Sequence, residues 1–272
     1  MPTIEQNKAT WNDDHNWKYG GEEWSACWGG SYMQWHGTIL PRILAFLPAR
    51  SILEIAPGFG RWTEYLKDYS TNLSVVDISE KCINACRQRF AASSHMSYFV
   101  NDGKSLDMIP DDSVDLVFSF DSLVHVEDTI ISAYIAQLSR KIKQNGAIFI
   151  HHSNLGEYTA QLRIQQVIGK APGLFSFLKK AGIFDELITH WRDPSMTAIK
   201  MQQYAKDNGL QCISQELVNW GSKSALIDCL SMIVHKKSIY YKENTVFRNT
   251  GFMQEAERLS ILSKVIALRS NI

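Results

Sequence analysis

The feature that most constrains this chain is an alternation of short apolar runs with amphipathic stretches between Ser51 and His151. Ser51–Ile55, Leu73–Val76, Met96–Val100, Ser113–Phe120 and Gly146–His151 are rich in apolar and β-branched residues and lack polar alternation, so each reads as a strand buried on both faces. Between them, Arg61–Asp68, Ser79–Phe90 and Asp128–Lys143 read as helices, the second capped by the Ser79 hydroxyl. Strand and helix in turn predict an α/β fold, a doubly wound and mostly parallel sheet with helices on both faces. Such a sheet holds its ligand beyond the carboxyl ends of the strands, where the strand order reverses. The residues that follow each strand are therefore the ones to read for function.

The flanks follow other patterns. Residues 1–47 are expected to form an aromatic-rich helical lid: Trp11, Trp17, Trp24 and Trp28 crowd its first part, and Ser31–Leu47 reads as a helix that Pro48 ends. Residues 48–236 are expected to be the main domain, with an insertion over the site at about 153–195. Within it Thr197–Asn208 reads as a helix stopped by Gly209, and Leu210–Val218 with Ala225–Val234 as a terminal strand pair. Residues 237–272 are expected to be a helical tail. From His235 onward the chain carries seven Lys/Arg against three Glu, and Glu255–Arg269 has apolar residues at helical spacing. Docking onto the domain or onto a second subunit is the expected role, with peripheral contact to an anionic membrane surface as the alternative.

Charge and cysteine usage narrow the partners. Twenty-eight basic residues balance twenty-eight acidic ones, which leaves no broad electrostatic footprint for nucleic acid. No apolar run approaches the length of a membrane span, and Met1–His15 lacks the apolar core of a signal peptide. Five cysteines with no Cys-x-x-Cys pair point to reduced thiols and a cytoplasmic location.

Glu54-Ile55-Ala56-Pro57-Gly58-Phe59-Gly60 closes the first strand and opens a helix, and its glycines allow a sharp turn and a close approach of the backbone to a ligand. A dinucleotide fingerprint would need glycine at 63, which is Thr63, and no Gly-Lys-Ser/Thr follows for a phosphate loop. A phosphate-free, cationic ligand suits this turn. Asp77 ends the second strand, where a carboxylate can accept both hydroxyls of a ribose. Asp102-Gly103 follows the third, where a carboxylate can meet an exocyclic amine and backbone N–H groups a ring nitrogen.

At these residues the chain resembles the class I S-adenosylmethionine-dependent methyltransferases, well over 50–152 and in outline over 197–236. The resemblance implies a seven-stranded sheet ending in a hairpin and S-adenosylmethionine as cofactor. It implies Glu54, Ala56, Gly58 and Gly60 around the methionine part, Asp77 and Ile78 at the ribose, Asp102 and Gly103 at the adenine, and the backbone of Ser119 and Phe120 at the methionine amino group.

Methyl transfer from a sulfonium needs an aligned acceptor in a water-shielded site, and a hydroxyl acceptor must also lose a proton to a base. Asp121-Ser122-Leu123-Val124-His125 follows the fourth strand, and His125 is the first candidate base, as the spacing resembles that of small-molecule O-methyltransferases. The block also resembles the Glu-x-x-Glu-His pattern of quinone-precursor O-methyltransferases, but Val124 replaces the second acid, so no metal is expected. His151, His152 and Asp121 are further catalytic candidates; strand alternation sends one of the two histidines toward the site and the other away. Trp28, Tyr32, Asn154, His190 and Arg192 are candidates for holding the acceptor. The chain also resembles a bacterial subgroup linked to surface-polysaccharide clusters, which implies a sugar or glycan hydroxyl as acceptor. A phenolic or amine metabolite, or cofactor binding without catalysis, remain the alternatives.

Overall fold

The computed structural model describes residues 3–181, 186–221 and 224–267. Residues 182–185 of the expected insertion and 268–272 of the expected tail lie outside the described residues, as do 1–2 and 222–223. Eight strands form one sheet: β1 (Ala49–Ile55), β2 (Ser70–Asp77), β3 (Met96–Val100), β4 (Val114–Ser119), β5 (Ile142–Ser153), β6 (Leu210–Val218), β7 (Asp228–His235) and β8 (Thr245–Asn249). Their order is β3-β2-β1-β4-β5-β7-β6-β8. The first five run parallel, β7 is antiparallel to both β5 and β6, and β8 pairs in parallel with β6. The order reverses between β1 and β4, so the crevice for a ligand opens at the carboxyl ends of these two strands.

The α-helices are α1 (Ile4–Ala9), α2 (Ser31–Gln34), α3 (Leu40–Ile43), α4 (Thr63–Leu66), α5 (Glu80–Arg89), α6 (Asp128–Lys141), α7 (Thr159–Gly169), α8 (Pro172–Lys180), α9 (Ala198–Asp207) and α10 (Phe252–Ala267). Two apolar clusters cover the two sheet faces. Ile52, Val75, Leu116 and Phe149 pack with Trp28, Trp35 and Ile39, while their neighbours Leu53, Val76, Val117 and Ile148 pack with Ile131, Ile135 and Met201. This is the two-sided burial that the absence of polar alternation implies.

Three expectations change. The sheet has eight strands rather than seven. β8 is an edge strand with Val246 and Phe247 about half exposed, so it lacks a buried period that sequence could show. The single helix expected over Ser31–Leu47 is broken into α2, a π-helical turn (Trp35–Ile39), α3 and a 3₁₀ turn (Leu44–Phe46), with Pro41 at the start of α3. The segment after 236 contributes β8 as well as a helix. α10 docks on the domain: Phe252 and Ala256 are buried, and Arg42 bridges Glu216 of β6 at 2.7 Å and Glu255 of α10 at 3.1 Å. A Cβ on Gly37 would come within 2.5 Å of Leu259, so glycine there is what lets α10 lie against the N-terminal helices. No helix among the described residues is long and apolar enough to cross a membrane.

Candidate functional site

The crevice is a cavity of about 430 Å³, within the range of small-ligand sites. One end is built by the tips of β1, β2 and β3. β1 leads into Ala56 and Gly58, both with positive φ (58° and 57°), and a Cβ at Gly58 would meet the Trp17 ring at 2.9 Å. Asp77 is buried and lines the cavity; its Oδ1 accepts from the Ser79 N–H at 2.8 Å and its Oδ2 from the Gly58 N–H at 3.2 Å. Burial pushes its carboxyl up to about 6 against the pull of those N–H groups. Each oxygen keeps a lone pair for a ligand hydroxyl.

The walls beside Asp77 are Ile78, Gly103, Leu123, Val126 and Ile130, with Asn101 and Tyr134 as polar members. Asn101 is fixed by its own bonds: its Nδ2 donates to the Ser105 carbonyl and to the Tyr134 hydroxyl, and its Oδ1 accepts from the Gly103 N–H. Asn7 reaches the same cavity from α1. Its Nδ2 is buried and has no hydrogen-bond partner among the described residues. An unmet buried donor of this kind costs about 1–3 kcal/mol, which a ligand acceptor would offset. An apolar slot with one carboxylate, one unmet amide and no cation suits a nucleoside without phosphate. The residues present thus fit the adenosine part of S-adenosylmethionine.

The structure places some of the other cofactor candidates beside the cavity rather than in it. Asp102 is exposed; its Oδ1 accepts from the Lys104 and Ser105 N–H groups, so it shapes the turn while Asn101 and Gly103 face the cavity. Glu54 lies behind the loop. It accepts from the Thr63 hydroxyl at 2.6 Å, and burial pushes its carboxyl up to about 8, which keeps it protonated at neutral pH. Gly60 packs against Phe90, and the Ser119 hydroxyl donates to the Ile55 carbonyl, tying the tips of β1 and β4 together. Ala56, Gly58, Asp77, Ile78, Gly103 and Phe120 do line the cavity.

The other end is built by the loop after β4, the segment before α9 and the N-terminal segment. A buried charge chain runs through it. Arg61 donates to the Ser25 hydroxyl at 3.1 Å and to Asp121 at 3.0 Å; Arg192 lies 3.8 Å from the other Asp121 oxygen and makes a forked pair with Asp228 at 2.8–3.2 Å. Burial opposes the charge on Asp228, but Arg192 and His151 hold its carboxyl well below the usual range. His151 accepts from the Asp121 N–H at Nδ1, so its proton sits on Nε2, 3.2 Å from Asp228. The buried Nε2–H makes no well-formed hydrogen bond among the described residues, so its tie to Asp228 is electrostatic. Two guanidinium cations and two carboxylates balance.

Strand alternation separates the two adjacent histidines. His151 packs behind the cavity wall on Phe120 and Trp220, whereas His152 on the other face bonds to the Ser153 carbonyl and the Ser231 hydroxyl, both at 2.8 Å. Burial lowers the His152 imidazole to about 4. Neither lines the cavity. His125 does: its Nδ1 must donate to the Trp191 carbonyl at 3.1 Å, because a carbonyl only accepts. That leaves Nε2 a lone pair without a protein partner among the described residues. Burial and then the Arg192 charge lower its pKa, so the ring is neutral at pH 7.

His190 and Arg192 line the cavity, and Trp191 stands at its rim, 74% exposed. Asn154 does not reach it; its side chain ties the Leu226 carbonyl to the Ala198 N–H. Of the aromatic candidates, Trp28 is fully buried against Trp220 and Phe252, and Tyr32 faces solvent. Their place is taken by Trp11, Trp17 and Trp24, with Trp17 stacked on Phe59 at 4.4 Å and Trp11 facing His125 at 6.1 Å. Sequence reasoning also missed Arg61, Asp228, Asn7 and Trp220. Only Arg61 carried a signal, as the residue directly after the glycine turn.

Residues 52–146 match the family profile of the methyltransferase domain. Phosphoethanolamine N-methyltransferase 1 of Zea mays is 32% identical over 42% of this chain and 23% of its own length. Nodulation protein S of Sinorhizobium fredii is 30% identical over 34% of this chain and 42% of its length. The chain thus spans less than a quarter of the plant relatives it matches. N-methyltransferase NodS from Bradyrhizobium japonicum WM9, solved with S-adenosyl-L-homocysteine, shares the fold with a TM-score of 0.55 and 16% identity, covering 86% of this chain and 99% of that one. The magnesium protoporphyrin IX methyltransferase of Synechocystis does so with a TM-score of 0.53 and 16% identity, over 84% and 97%. Residues 52–146 thus match a methyltransferase domain, and the chain as a whole shares the fold of these methyltransferase structures.

Proposed function

We propose that the chain transfers a methyl group from S-adenosylmethionine to a hydroxyl of a small, neutral, sugar-like acceptor. The observation that carries this reading is His125, which is neutral, pinned through Nδ1 and open at Nε2 on the cavity wall. When bound, the cofactor supplies a methyl group activated by its sulfonium. His125 Nε2 takes the proton that the acceptor hydroxyl must lose. Asp121, held between Arg61 and Arg192, accepts a hydrogen bond from a second acceptor hydroxyl and fixes its orientation. Trp11, Trp24 and Trp191 offer flat apolar faces to a sugar ring and exclude water. The balanced charges at this end favour a neutral acceptor, since an ammonium ion would find no carboxylate that lacks a cation already.

A second reading is N-methylation of an amine, favoured by the relatives, which include phosphoethanolamine N-methyltransferases, and by the structural neighbour N-methyltransferase NodS. His125 would then take a proton from the acceptor ammonium. Incubation with methyl-labelled cofactor and a panel of nucleotide sugars, glycans, phenols and primary amines separates the two. Label on a sugar oxygen supports the first reading; label confined to amines overturns it; no transfer to any acceptor favours cofactor binding without catalysis.

A further inference from the structure

α7 and α8 are the part of the molecule whose composition and burial disagree. An 11-residue helix with leucine, isoleucine and valine ordinarily buries one face, yet no residue of α7 is buried. Ile164 and Val167, three apart and so on one face, are 52% and 67% exposed, and Phe177 of α8 is 64% exposed. Leu162 packs inward on Leu155 and Leu187, and the Gln165 side chain is bonded to the Leu187 backbone, so the helix is anchored with its other face outward.

The charges of the stretch that carries α7 and α8 have one sign. Residues 159–181 hold four Lys/Arg and no Asp or Glu, in a chain whose formal net charge is zero. Arg163 and Lys170 flank Val167 at helical spacing, so their aliphatic stems lie along the apolar stripe and their heads stand beside it. The exposed apolar residues of α10 differ: Ile261, Leu262 and Val265 share their helix with Glu255 and Glu257. In the segment before α9, Ile188 is 48% and the cavity-rim residue Trp191 74% exposed.

We propose that this face docks onto an anionic phospholipid surface, with the apolar residues entering the headgroup boundary and the basic ones meeting lipid phosphates. Apolar side chains backed by cations of one sign are what such a surface selects, whereas a second copy of this neutral chain offers no matching excess of negative charge. The inference does not depend on the acceptor or on methyl transfer.

The test is flotation of the full chain with vesicles of phosphatidylcholine, with and without phosphatidylglycerol. The chain is expected to float with the anionic vesicles and to be released by added salt. The double variant Val167→Ser, Phe177→Ser should stay with the unbound fraction while its thermal melt is unchanged. Lys170→Ala, which leaves Val167 and Phe177 in place, should weaken binding about fivefold. No flotation with anionic vesicles overturns the proposal, as does equal binding to phosphatidylcholine alone. Sedimentation showing a dimer that the double variant dissociates, without vesicle binding, assigns the face to a second copy and overturns it too.

Discussion

The two ends of the cavity are built by opposite strategies. At the cofactor end, most contacts are made by the residue that ends a strand or the turn after it: Ala56 and Gly58 after β1, Asp77 at the end of β2, Asn101 and Gly103 after β3, joined by Asn7 of α1 and by Ile130 and Tyr134 of α6. At the acceptor end, the contacts come from segments far apart in sequence: Trp11, Trp17 and Trp24 from the N-terminal segment, Asp121 and His125 after β4, His190 and Arg192 from before α9, and Asp228 at the start of β7 behind them. The first arrangement is fixed by strand order. The second exists only because a buried charge chain and an aromatic lid hold four segments together. Parallel strands thus supply a nucleoside cradle, while the loops that cross its mouth shape the rest of the cavity.

Replacing residues at each end tests that division. The largest effect is expected for Asp77→Ala, which should abolish binding of S-adenosylhomocysteine in calorimetry; retained tight binding would break the assignment of the cofactor end. In the unchanged protein the same group sets a pH limit. Its carboxyl titrates near 6, and ribose hydroxyls need the carboxylate, so affinity should fall as pH drops below that value, by up to about tenfold per unit.

At the acceptor end, His125→Ala should leave cofactor affinity intact and lower kcat by about 10²–10⁴-fold. Because burial and Arg192 lower the pKa of His125, activity should persist below the pH where an ordinary histidine protonates. A loss of cofactor affinity instead of turnover would dissolve the distinction between the two ends. Asp228→Ala tests what holds the acceptor end together. It strands Arg192 and should destabilise the fold by about 3–5 kcal/mol, read as a lower Tm. The folded Asp228 carboxyl lies well below its ordinary 3.8, so this contribution is present above about pH 4 and is lost only in stronger acid.

The smallest effect is expected for Glu54→Gln. Unfolded, this carboxyl ionises near 4.5; folded, it keeps its proton to about 8. Unfolding therefore releases a proton between those values, and stability falls as pH rises through that window. The amide variant escapes this loss. Its Tm should exceed that of the unchanged protein at pH 8, by about 2–4 °C for each kcal/mol, with the gap closing toward pH 4.5. Cofactor affinity should not change, because Glu54 does not line the cavity.

The sheet and the cofactor end were largely legible because their signals are local. A buried strand announces itself by an apolar run, and the residue after it is placed by chain connectivity alone. The structure departs from that reading at Glu54, Gly60 and Ser119, which lie beside the cavity, and at Asp102, which is drawn into a turn by the N–H groups of Lys104 and Ser105 while Asn101 faces the cavity. The acceptor end was legible only in part. His125, His190 and Arg192 were found as polar residues in loops, but Trp28 and Tyr32 were chosen where Trp11, Trp17 and Trp24 line the wall. A tryptophan in an aromatic-rich segment carries no mark that says whether it meets the core or a cavity.

What the sequence determined by itself was the alternation of elements, the glycine turn and the acid that ends β2, since each follows from short-range sterics and hydrophobic period. Only the tertiary structure decided that Asp228 pairs with Arg192, 36 positions away, that His151 and not His152 backs the cavity, and that α10 seals the N-terminal helices. The physical reason is that a buried charge is tolerable only beside its partner, and the partner is chosen by packing in three dimensions rather than by spacing along the chain.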